Sequence, residues 1–194
     1  SRMEFKLSPG GERKRRAAAL TQIGIDLHDR GRFDAGAAAF EQALALEPHR
    51  VRAIRGKALC LSQLGKAQEA LAYAEKAVEL AQYPGLSYAT LGLVLHRLGR
   101  GEEAEKAFQL GLENTPDDFR VYYNFACYWA EVGDEEECRR YLALTLELAP
   151  ESFVPQPPND PDMARYSHKK WFADMLAARK RRVADWQPAE VGIQ

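Results

Sequence analysis

The chain has 194 residues, 46% apolar and 28% charged, which suits one or two folded domains and excludes a disordered chain. Lys plus Arg number 27 and Asp plus Glu 28, so a net charge of -1 excludes a global attraction to nucleic acid or anionic lipid. Three irregularly spaced cysteines make neither a disulfide framework nor a zinc site, and no apolar run reaches the roughly 18 residues of a membrane-spanning helix.

In chain order, residues 1–16 read as an N-terminal arm and the start of the first helix, with 1–12 loose around Pro9, Gly10 and Gly11. The first residues lack the apolar core of a secretory signal, so the expected location is cytoplasmic. A repeat begins next. Gly31, Gly65, Gly99 and Gly133 stand 34 residues apart, each inside a similar phrase such as Gly-Lys-Ala-Gln-Glu-Ala or Gly-Arg-Gly-Glu-Glu-Ala. Counting from them gives four contiguous units: 17–50, 51–84, 85–118 and 119–152. Abundant Ala and Leu, with no alternating β-branched pattern, make each unit two helices. The glycine suits a left-handed position closing the first helix. Acidic residues such as Asp134 suit the start of the second, with Asp134 as a cap. Pro48, Pro116 and Pro150 end the second helix in three units. Residues 153–161, FVPQPPNDP, read as a proline-rich linker. Residues 162–185 read as one capping helix, with Met163, Tyr166, Trp171, Met175, Leu176 and Val183 on one face, followed by a tail at 186–194.

On these residues the chain resembles the tetratricopeptide repeat family. The first unit supplies Leu20, Ile23, Gly24, Leu27, Phe40, Ala43 and Pro48. The third matches best, with Tyr88, Leu91, Gly92, Leu95, Ala104, Phe108, Gly111 and Pro116. Lys57 departs from the pattern, at a site where a large apolar residue is expected. The resemblance implies an all-α fold: a right-handed α-α superhelix, or solenoid, of four helix-turn-helix repeats plus a C-terminal capping helix. It also implies that the first helix of each pair lines a concave groove that receives peptides or protein segments. The residues placed there are Gln22, Ile25, His28, Arg52, Arg55, Leu59, Thr90, Leu93, His96, Arg97, Arg120, Tyr123, Asn124 and Cys127. Ile25, Leu59, Leu93 and Cys127 form an apolar ladder, which either faces a partner or packs between neighbouring first helices. Arg, Tyr and Asn around it suit a segment with apolar anchors and some acidic character. A subgroup of the family clamps chaperone C-termini with Lys and Asn residues. Here Thr21, Ile25, Gly56, Leu86 and Thr90 stand in those places, so a heat-shock co-chaperone is not expected.

No enzyme signature survives inspection. Gly99-Arg-Gly101-Glu-Glu-Ala104 fits a dinucleotide glycine pattern formally, but no strand precedes it. The four histidines are scattered, so no metal site or cofactor is expected. Cys60 and Cys138 fall on packing positions. The expectation is a non-enzymatic adaptor or scaffold whose partner is another protein or peptide segment, with no small-molecule substrate. The first alternative is a scaffold that self-assembles as a homo-oligomer, or whose own C-terminal arm fills the groove. The weaker one is binding of nucleic acid or a membrane surface through two basic runs, Arg13-Lys14-Arg15-Arg16 and Arg179-Lys180-Arg181-Arg182.

Overall fold

The computed structural model describes residues 8–153, 155 and 161–184. Its first eight helices come in pairs: α1 (Pro9–Asp29) with α2 (Phe33–Leu46), α3 (Val51–Gln63) with α4 (Ala67–Leu80), α5 (Gly85–Arg97) with α6 (Gly101–Asn114), and α7 (Phe119–Val132) with α8 (Glu135–Leu148). Two further helices follow, the single turn α9 (Pro161–Ala164) and α10 (Lys170–Ala184). Among the described residues there is no strand. The chain divides into two compact units, Ser1–Val121 and Tyr122–Gln194.

Each pair turns on one residue. Gly31, Gly65, Gly99 and Gly133 have φ of 73, 76, 76 and 93°, the left-handed region that a side chain disfavours. The first three close a Schellman motif. Arg32, Lys66 and Arg100 donate their N–H to the carbonyls of Leu27, Leu61 and Leu95, each at 2.9 Å. The orphan carbonyls at each helix end thereby find donors. Asp134 caps α8, its carboxylate accepting from Glu137 N at 3.0 Å. The other second helices begin after Arg32, Lys66 and Arg100, without a side-chain cap. The second helices of pairs one, three and four end two residues before Pro48, Pro116 and Pro150, because a proline restrains the residue preceding it.

In the first unit each second helix packs on the next first helix, α2 on α3 and α4 on α5, while α1, α3 and α5 lie side by side. Small residues admit large ones. The fully buried Phe40 ring lies against Gly24 and Gly56, and the buried Phe108 ring lies against Gly92. Around Phe40 cluster Ala43, Ala53 and Cys60, and a second cluster joins Ala58, Leu61, Ala70, Ala74 and Val94. Lys57 interrupts the apolar pattern because it has polar partners: its Nζ pairs with Glu41 on α2, donates to the Tyr73 hydroxyl at 2.8 Å and lies 4.4 Å from the Tyr73 ring centre. Desolvation lowers the pKa of Lys57, but those partners outweigh it and hold the value above its ordinary one.

The structure corrects the expectation at both ends. Residues 9–12, expected to be loose, are the first turn of α1, because Pro9 is preorganised for that position and the Ser8 hydroxyl accepts from Gly11 N at 3.2 Å. The single helix expected over 162–185 is broken by turns at 165–168, leaving α9 and α10. The buried face follows the break. Met163, Tyr166, Phe172 and Arg179 are buried, while Trp171, Met175 and Leu176 are half-buried. The Val183 side chain, residues 154 and 156–160 of the linker, and the 186–194 tail lie outside the described residues.

Candidate binding face on the first helices

In the first unit, α1, α3 and α5 present one rung each of the apolar ladder. Ile25, Leu59 and Leu93 are all half-buried. Ile25 packs on the Phe40 cluster, so its rung is partly structural. Gln22 and Arg52 are exposed, and Gln22 Nε2 donates to Asp26 Oδ1 at 3.0 Å. His28 is half-buried, 3.2 Å from Asp29 Oδ1 and edge-on to Phe33 with centroids 5.4 Å apart. His96 and Arg97 are half-buried on the last turn of α5.

Two members of the expected set do not offer a side chain. Thr90 is 2% exposed, and its hydroxyl donates to the Leu86 carbonyl at 3.0 Å, one turn back. Cys127 is 5% exposed, so the fourth rung is core. The repeat position of Thr90 placed it on the groove, but a hydroxyl inside a helix satisfies itself by bonding back along its own helix.

The electrostatic centre of this face is a group of arginines. Arg120 forks onto Asp118, with Nε to Oδ1 at 2.8 Å and Nη2 to Oδ2 at 2.7 Å, and Asp118 Oδ1 also accepts from Arg120 N at 3.0 Å. Desolvation pushes the Asp118 carboxyl up, but these bonds outweigh it and hold the group below its ordinary value. Arg55, half-buried on α3, is different. Burial, then the charges of Arg120 and Arg52, pull its pKa down to about 10, with Asp118 opposing. Among the described residues neither Arg52 nor Arg55 has a hydrogen bond or an ion pair. Arg55 is thus a desolvated guanidinium beside two like charges, with Asp118 bonded to Arg120 instead.

In the second unit, Tyr123 and Asn124 are half-buried on α7. The Tyr123 ring meets the Phe153 ring edge-on, with centroids 5.3 Å apart and planes at 80°. Sequence reasoning missed this contact, since nothing in FVPQPPNDP specifies where its first ring docks. It also missed the role of Arg179. That side chain is 8% exposed and donates to the carbonyls of Ala149, Pro150 and Phe153. Arg179 therefore does not stand as a free cation at the head of the second basic run. It is a structural clamp, Lys180 is exposed, and the side chains of Arg181 and Arg182 lie outside the described residues. The first run, Arg13 to Arg16, is exposed on the opening turns of α1.

Other chemistry is sparse. All three cysteines are buried, and burial pushes the Cys60 thiol up to about 12, far from a reactive thiolate. Among the described residues no group of three His, Cys, Asp or Glu side chains is arranged to hold a metal ion. Among the same residues no helix is long and apolar enough to cross a membrane.

A tandem array of helix pairs, turning on left-handed glycines every 34 residues, defines an α-helical repeat protein. Two tetratricopeptide repeat profiles match the sequence, one over residues 21–87 and one over 86–118, and the chain belongs to the tetratricopeptide repeat family. Solved structures agree on the fold. The thermophilic repeat protein TTC0263 of Thermus thermophilus superposes with a TM-score of 0.62 at 19% identity, covering 90% of this chain and 93% of that one. The APC/C hetero-tetramer Cut9–Hcn1 gives 0.60 at 17% identity, covering 87% of this chain and 30% of that one. The first repeat domain of human RPAP3 gives 0.52 at 19% identity, covering 70% and 99%. At such identities the likeness shows the fold alone. No curated protein matches the sequence significantly.

Proposed function

We propose that the chain is a non-enzymatic adaptor that binds a protein segment along its first helices, and that the segment is acidic with apolar anchors. The family is in general one of interaction modules, which supports the coarse reading. The finer reading is carried by one observation: Arg55 is desolvated, lies in the field of Arg52 and Arg120, and has no hydrogen-bond partner among the described residues. A desolvated cation without a partner is costly, and a carboxylate arriving from outside relieves that cost. Leu59 and Leu93, half-buried on α3 and α5, supply apolar contact beside it. A preformed helical face loses little entropy on receiving a flexible segment.

Selection of displayed random peptides on the whole protein tests this. The enriched peptides should combine an acidic residue with apolar ones, and should bind Arg55→Ala at least about tenfold more weakly, the size expected for one buried charged hydrogen-bonded contact. Peptides without an acidic preference, or with equal affinity for the variant, would contradict the reading.

A further inference from the structure

The turn after α8 has an unusual economy. Three of its carbonyls, those of Ala149, Pro150 and Phe153, converge on the one guanidinium of Arg179 from α10. Phe153 N donates to the Pro150 carbonyl at 2.9 Å, closing the turn upon itself. The turn carries the half-buried Phe153 ring, set edge-on against Tyr123. Tyr123 stands at the fifth position of its unit, the position that Arg55 holds two units earlier in the sequence. The second unit therefore has, at a repeat position read as part of the binding face, an aromatic partner supplied by its own chain.

We infer that the turn 150–153 is an internal occupant of the α7 binding position, and that Phe153 covers Tyr123 until a partner segment carrying an aromatic side chain displaces it. This deepens the function proposed above and rests on its reading of first helices as the binding face. It names the kind of residue a partner brings to α7: an aromatic ring that offers its edge to the Tyr123 ring, as edge-to-face pairs prefer. The contact is exchangeable because its two parts are separate. The backbone of the turn is held by Arg179, whereas the ring is held by side-chain contact, so the ring can be replaced without unfolding the turn. An internal occupant acts at an effective concentration on the order of millimolar, so only a segment with further contacts outcompetes it. Those contacts make displacement selective.

The test uses the full chain and a fluorescein-labelled peptide of residues 147–155, Glu-Leu-Ala-Pro-Glu-Ser-Phe-Val-Pro, read by fluorescence polarisation. In the wild type the position is filled and the peptide binds weakly. Phe153→Ala vacates it, and the peptide should then bind at least about tenfold more tightly. A peptide with Ala in place of Phe should show no such gain. Equal binding of the peptide to both proteins, or equal gain for the Ala peptide, overturns the inference. Circular dichroism checks the fold. If Phe153→Ala loses helix, Phe153→Leu, which keeps apolar bulk but removes the ring, is put through the same comparison and should show an intermediate gain. If both variants unfold, Phe153 is a structural residue and the inference fails. Failure here is distinct from failure of the acidic-segment reading, because the Arg55→Ala comparison does not involve Phe153 or Tyr123.

Discussion

Two glycines of the same helical repeat act for different reasons, and substitution separates them. Gly99 has φ +76° with open space around a would-be Cβ, so its constraint is backbone conformation alone. Gly92 has an ordinary helical backbone, but a Cβ would come within 2.6 Å of the Phe108 ring, which is fully buried and has nowhere to move. Gly99→Ala should cost about 1–2 kcal/mol, and Gly99→Asn less, because Asn tolerates the left-handed region. Gly92→Ala should cost about 1–3 kcal/mol or more through overpacking, and Gly92→Asn more still. Urea unfolding followed by circular dichroism gives all four values, and an Asn that is no better than Ala at position 99 would contradict the conformational explanation. Gly99 was legible in the sequence because its constraint is local and repeats at a fixed spacing. The reason for Lys57 was not legible. Its partners Glu41 and Tyr73 lie 16 residues away on either side, on two other helices, and no local pattern announces them. Burial of Thr90 and Cys127 was hidden for a similar reason. A repeat position fixes which helix a side chain leaves from, but neighbouring elements decide whether it reaches solvent.

The helices themselves follow from Ala-rich and Leu-rich segments, turn glycines and prolines, and their boundaries were largely legible. The segment after α8 was not, because its structure depends on long-range polar contacts rather than periodicity. Arg165 Nη1 donates to the Ala130 carbonyl at 3.0 Å, Trp171 Nε1 donates to Glu135 Oε1 at 2.7 Å, and Lys169 lies 3.3 Å from Glu135 Oε2. These contacts pull the chain into α9, a turn and α10, where spacing alone pointed to one helix. Glu135 on α8 is the shared anchor of the Trp171 and Lys169 contacts, and the hydrogen bond from Trp171, with help from Lys169, lowers its pKa below the ordinary value of 4.5. A depressed carboxylate stabilises the folded arrangement fully above its ordinary pKa, and that contribution fades as pH falls through the lowered one. The Trp171 indole N–H resonance should therefore hold steady from neutral pH to about 4.5 and shift below it. In Glu135→Gln, which keeps an acceptor oxygen but cannot titrate, the shift should vanish. The same acid transition in both proteins would show that Glu135 does not control the contact.

At the scale of the whole molecule, four helix pairs in phase were readable because each unit repeats one solution to one packing problem. Small residues on first helices receive Phe40 and Phe108 from second helices, and a left-handed glycine reverses the chain between them. A repeat protein needs no single deep pocket, so its function spreads over a surface, and surfaces are weakly encoded. The apolar ladder was legible as a stripe, yet only Leu59 and Leu93 remain as half-buried rungs without a partner in the Phe40 cluster, with Ile25 packed on that cluster and Cys127 buried. The arginines were legible one by one, but the desolvation of Arg55 beside Arg120 depends on residues two repeats apart. The central claim is that the first helices bind a protein segment. The most direct measurement is affinity capture from a lysate of the source organism, with the wild type beside a Leu59→Glu and Leu93→Glu double variant that retains its helical circular dichroism. The account predicts a protein held by the wild type and lost by the variant, since two carboxylates would both replace apolar contact and repel an acidic segment. A protein captured equally by both would contradict it and move the binding surface away from α3 and α5.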